Sequence, residues 1–98
     1  MRVVASLLEP VEARTAQGGV TVSYEALGTV WLKLGARRRR QKEEQGLGRS
    51  VEVMAAQARA DERLVEGHVL RFAGGDWGLV GMGPVLGGQV KVELERRR

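Results

Sequence analysis

Hydrophobic and polar residues alternate one by one along several short stretches of this chain. Val20, Val22 and Tyr24 alternate with Thr21, Ser23 and Glu25. Val30, Leu32 and Leu34 alternate with Trp31 and Lys33, and Val51 and Val53 flank Glu52. Near the end, Val90, Val92 and Leu94 alternate with Lys91, Glu93 and Glu95. A period of two belongs to a β-strand with one buried face. Turn signals separate these stretches. Gly18 and Gly19 follow Gln17 between two apolar segments, Gly74 and Gly75 precede Asp76 between Val69–Phe72 and Trp77–Val80, and Gly87-Gly88 precedes the last alternating run. Gly18, Gly19, Gly74 and Gly75 are assigned to tight turns, where a positive φ is required. Pro84 cannot donate to a ladder and is assigned to a connection.

The pattern predicts strands near 2–9, 20–25, 28–35, 50–56, 68–73, 76–82 and 89–96. Several short strands punctuated by turns give an all-β fold, an antiparallel barrel or sandwich. Segment 54–66, MAAQARADERLVE, is the exception, since its alanines and charged residues favour helix. The expectation there is a strand ending near 54–58 and one short helical turn near 61–66.

Length and composition narrow the classes. Ninety-eight residues make one domain, 1–98, that buries roughly two thirds of its unfolded surface. Cysteine is absent and histidine occurs once, at His68, so no disulfide framework or metal-ligand spacing exists and neither metal nor cofactor is expected. No apolar run approaches the roughly 20 residues of a membrane span. MRVVASLLEP reads as a first strand, not a secretory leader.

Charge adds the most specific feature. The net charge is +4, but it is segregated. Residues 36–49 hold Arg37, Arg38, Arg39, Arg40, Lys42 and Arg49 against Glu43 and Glu44, a local net of +4. Arg96, Arg97 and Arg98 add +3, which leaves −3 for the remainder. A mildly acidic body thus carries two basic patches. Residues 37–45 contain no apolar side chain, so 36–49 is expected to be a long, flexible, solvated loop. Arginine forks match phosphate geometry, and each neutralised phosphate releases counterions. One such loop would bind weakly and without sequence preference, whereas a ring of them would concentrate charge about an axis.

Catalytic chemistry finds no constellation. Ser6, Ser23 and Ser50 lack nucleophile-elbow spacing, and His68 opens a strand without a visible orienting partner. Glu43 and Glu44 sit beside cations and read as local charge partners. GGDWGLVGMG lacks the Lys-Ser/Thr of a nucleotide-binding loop and reads as a hairpin turn. Trp31 and Trp77 could stack bases. With only four aromatic residues in the chain, Trp31, Trp77, Tyr24 and Phe72 are assigned instead to the core or a subunit interface. No enzymatic activity is expected.

At the level of ordered motifs the chain resembles the phage head–tail joining proteins, the head-closure or stopper family, including its gene transfer agent versions. LLEPVEAR leads into TAQGGVTVSYEALGTVWLKL, with Gln17, Gly18, Gly19, Val20, Tyr24, Val30 and Trp31 in the family's order. A long variable loop, SVEVMAAQAR, LVEGHVLRFAGGDWGLVGMGPV and GQVKVELER follow. The resemblance spans nearly the whole chain. It implies a small antiparallel β-barrel assembled as a homo-oligomeric ring at the head–tail vertex of a virion or gene transfer agent particle, put together in the bacterial cytoplasm. It further implies an adaptor or portal protein above, a tail terminator or tail tube protein below, and no membrane. Arg37–Arg40, Lys42 and Arg49 would face the channel and its packaged double-stranded DNA. The alternative reading is a monomeric basic β-barrel that binds nucleic acid, with the loop and tail as its grip.

Overall fold

The computed structural model describes residues 1–44, 46–84 and 86–97. Their strands are β1 (Arg2–Arg14), β2 (Val20–Glu44), β3 (Leu47–Arg59), β4 (Val69–Phe72), β5 (Gly75–Pro84) and β6 (Gln89–Arg97). All neighbours are antiparallel, and the sheet closes into a barrel in the order β1-β2-β3-β6-β5-β4. The described residues contain no helix.

The alternation explains the interior. Ala5 and Leu7 of β1, Val30 and Leu32 of β2, Leu70 and Phe72 of β4, Trp77 and Leu79 of β5, and Val92 and Leu94 of β6 all point inward and are buried. Each fully buried leucine contributes about 1.5–3 kcal/mol. The alanine-rich stretch joins them as strand, because Ala56 and Ala58 take inward positions beside the bulky core. Small side chains fit a narrow barrel whose volume Trp77 and the leucines already occupy, and this tertiary demand overrides local helix preference.

Several expectations differ from the structure. First, 20–25 and 28–35 are not separate strands but parts of the 25-residue β2. A ladder of that length would span about 80 Å if straight. The longest dimension of the molecule is 49 Å, so β2 must bend. It does so at two bulges, one where Leu7 and Leu8 face Gly28 and Ala26, the other between Leu34 and Arg37. Second, 36–44 and 47–49 are strand, where a loop was expected. β2 continues to Glu44 and β3 starts at Leu47, forming a long hairpin. Third, 61–66 forms tight turns, with Leu64 N donating to Asp61 O and His68 N to Val65 O, and no helical turn. Pro84 is also strand, the last residue of β5 opposite Val90. A strand end tolerates proline because one missing donor there interrupts no continuing ladder.

The connections place the turn glycines. Gly18 lies in the β1–β2 turn, where Thr15 N donates to Gly19 O, and Gly19 N donates to Thr15 Oγ1 at 2.9 Å. Between β4 and β5 the turn residues are Ala73 and Gly74, with φ of 51° and 74°. That pair of left-handed residues is the two-residue hairpin geometry that matches strand twist. Gly75 is already strand, and a Cβ there would meet Arg96 Cζ at 2.7 Å.

The loop between β3 and β4 seals one end of the barrel with Leu64, which is buried. Arg63 fastens it. Its Nη1 donates to Leu27 O at 2.8 Å, and its Nε and Nη2 grip Asp61. These bonds hold the Asp61 carboxyl at a pKa of about 2, below its ordinary 3.8. His68 Nδ1 lies 2.8 Å from Arg63 O, which gives the lone histidine a structural partner.

Candidate functional site: a basic hairpin on the barrel rim

The cations singled out by the sequence stand on the β2–β3 hairpin beyond the second bulge. Cross-strand pairing sets their directions. Arg37 opposes Met54 and Arg39 opposes Glu52, on the face continuous with the barrel interior. Arg38 opposes Val53, Arg40 opposes Val51 and Lys42 opposes Arg49, on the outer face. The run of four arginines is therefore divided between two surfaces.

Apolar residues of β3 explain why the segment stays ordered as strand. Val51 and Val53 are buried although they point away from the central core. Arg38, Arg40 and Val53 line one small recess, so the aliphatic stems of the arginines cover apolar surface while their heads reach solvent.

The cations differ in what they already hold. Glu95 on β6 is buried, with Lys42 Nζ at 3.2 Å and Arg40 Nη2 at 3.8 Å. Arg37 Nη1 is 3.3 Å from Glu52, and its guanidinium lies 5.2 Å from the ring centre of Trp77. Arg96, from the basic tail, packs on the same side chain at 5.5 Å. Cation–π contacts of this kind are worth about 0.5–2 kcal/mol. Among the described residues, Arg38 and Arg39 have no ion pair, so they are the cations of the run most available to an external anion. Arg49 sits opposite Lys42 and has an interaction of its own. Arg98 lies outside the described residues.

The aromatics divide as well. Trp77 and Phe72 are buried and stacked, their ring centres 6.0 Å apart. Trp31 and Tyr24 are exposed, at 67% and 49%, and contribute nothing to this chain's core. The phase of the alternation distinguishes the tryptophans: Trp31 falls between the inward Val30 and Leu32, whereas Trp77 is in step with inward Leu79. Sequence reasoning did not find the anchoring of Lys42 and Arg40 on Glu95, or of Arg37 and Arg96 on Trp77. Both arise from strands distant in the chain.

Two further ion pairs are structural. Arg71 grips Asp76 through two bonds, of 2.7 and 3.1 Å, directly across the β4–β5 ladder. The Arg71 guanidinium holds the Asp76 carboxyl below the ordinary carboxylate range. Among the described residues, no group of three or more His, Cys, Asp or Glu side chains is placed to hold a metal.

Comparison with known proteins bears on the fold. No family model matches the chain, and no curated protein sequence matches it. Among solved structures, a chain of the virion of a native gene transfer agent particle is similar to it, with a TM-score of 0.71 and 14% sequence identity. The likeness covers 97% of this chain and 94% of that one, so the two share their fold nearly from end to end.

Proposed function

We propose that this chain is a structural subunit of a phage or gene transfer agent particle. Within the particle it is a head-closure protein, forming a ring between the portal or adaptor and the tail. The observation that carries the reading is the likeness to a chain of a gene transfer agent virion, which covers 97% of this chain and 94% of that one. The charge pattern supports it. A rim hairpin with one unpaired arginine on each face, Arg38 on the outer and Arg39 on the inner, suits contact with packaged DNA. Repetition of weakly binding hairpins about an axis turns a modest contact into a strong collar. The role is mechanical and electrostatic, and no catalytic step is assigned.

Cryo-microscopy of particles, or of the chain co-expressed with its vertex partners, tests the proposal. The expected result is a ring at the head–tail vertex with residues 36–49 turned toward the channel. A ring with the hairpins outward would keep the location and remove the DNA contact. A chain that stays monomeric and binds DNA at low salt would replace the proposal with a monomeric nucleic-acid-binding barrel.

A further inference from the structure

The β1–β2 ladder contains two like-charge pairs of opposite sign. At one end Arg2 stands directly opposite Lys33, and toward the other Glu9 stands directly opposite Glu25. Like charges facing each other across a ladder destabilise it. Among the described residues none of these four side chains has an ion-pair partner.

The surroundings of the two pairs correspond. Two residues beyond Arg2–Lys33, on the same outer face, Val4 opposes Trp31, and these are 46% and 67% exposed. Two residues beyond Glu9–Glu25, on one face of the projecting hairpin, Val11 opposes Ser23. Each charged pair is thus flanked by a row with exposed apolar surface. The basic row continues across the sheet through Gln57 to Lys91, and an open cleft of about 510 Å³ runs beside it, lined in part by Trp31, Lys33 and Arg59. Glu9 stands seven positions beyond Arg2 on the same strand, about 23 Å of extended chain, so the pairs cannot meet within one molecule.

We infer that the hairpin around Glu9 and Glu25 of one copy docks on the Arg2–Lys33–Trp31 surface of the next. This rests on, and deepens, the ring proposed above. The carboxylates face the cations, and Val11 lies against Val4 and Trp31. Each copy uses two different surfaces, so the contact is head-to-tail and propagates around a ring. The strain of both like-charge pairs is relieved by the same contact. Charge complementarity selects a second copy as the occupant: the acidic pair that the basic row lacks is present on this chain, in the same two-row arrangement.

Sedimentation velocity of the purified chain over a wide concentration range, at low and high salt, tests the interface. The wild type is expected to self-associate, less so at high salt. Glu9→Lys/Glu25→Lys and Arg2→Glu/Lys33→Glu should each weaken association at least about tenfold. Mixing the two variants should restore it, because each then offers the other an opposite charge. The quadruple variant should restore it within one chain, which separates lost contact from lost folding. Association of the wild type that neither reversal weakens would overturn the interface and leave ring assembly standing through other surfaces. A wild type that stays monomeric at every concentration would overturn it too, while the particle's own ring is judged separately by microscopy. Loss of binding to a DNA duplex in Arg2→Glu/Lys33→Glu with self-association intact would overturn it in favour of nucleic acid on the basic row.

Discussion

Replacing Glu95 by glutamine keeps the shape of the side chain and removes its charge. Glu95 is 8% exposed, and its carboxylate holds Lys42 at 3.2 Å and Arg40 at 3.8 Å. Breaking a fully buried ion pair costs about 3–5 kcal/mol. An exposed pair contributes less than about 1 kcal/mol. Here the acid is buried but the arginine and lysine side chains are 52% and 38% exposed, which puts Glu95→Gln between these limits. The expected loss is about 1–2 kcal/mol, or roughly 5–15 °C in Tm for a domain of this size.

DNA binding should move the other way. With Glu95 neutral, Arg40 and Lys42 are released to phosphates. Each phosphate contact steepens the dependence of log K on log salt by about 0.9 for duplex DNA, so the slope should steepen by up to about 1.8. Thermal unfolding and anisotropy of a labelled duplex between about 50 and 200 mM salt measure both quantities. Lower stability with tighter, more salt-sensitive binding is the signature, since general damage to the fold would weaken both. An unchanged Tm and slope would show that Glu95 does not restrain these cations. A lower Tm with weaker binding would show that Glu95 holds them in the binding geometry, and the reasoning would be refuted.

Other perturbations separate the remaining roles. Arg38→Ala and Arg39→Ala should each reduce the salt slope by about 1 and change stability by no more than about 0.5 kcal/mol, and a large drop in Tm would make them structural instead. Asp61, held at a pKa of about 2 against 3.8 when unfolded, contributes stability that is complete above about pH 5 and is lost as pH falls through about 2. Solvent screening limits that contribution to about 1 kcal/mol, so the stability gap between wild type and Asp61→Asn in urea melts should narrow from pH 6 to pH 2, and a constant gap would count against the pairing. Gly28→Ala should cost more than about 1 kcal/mol, because its φ is +129° and the new Cβ would collide with Arg63 Nη1. Arg63→Ala should remove part of that penalty, and strict additivity in a double-mutant cycle would refute the collision.

The sequence made the barrel legible because its inward positions repeat every second residue. Val90, Val92 and Leu94 point inward as their alternation implies. The continuity of β2 was not legible, because a single bulged residue at Leu27 shifts the phase between the two alternating runs 20–25 and 28–35. The arginine run reads as a loop because it contains no apolar residue. Its order comes from its partner strand, where Val51 and Val53 offer surface that arginine stems can cover, and from Glu52 and Glu95. No local signal in 37–45 reports that Glu95, some fifty residues later, is waiting beneath Arg40 and Lys42. Trp31 was ambiguous by composition but not by phase.

In the proposed ring, β2 would tie assembly to the direction of the arginines. It carries Glu25 and Lys33 of the two proposed contact rows, and then, past the bulge between Leu34 and Arg37, it carries the arginines. A head-to-tail contact that fixes Glu25 and Lys33 in every copy would also fix the direction of every Arg38 and Arg39, through one continuous strand with two set bends. Two unpaired arginines, on opposite faces of the hairpin, would give an isolated chain a salt slope no steeper than about −2 and weak binding. Around the proposed ring the same two residues would repeat with each copy, and the later contacts would form at high effective concentration. Single copies would therefore pass DNA by, and only the proposed collar would hold it.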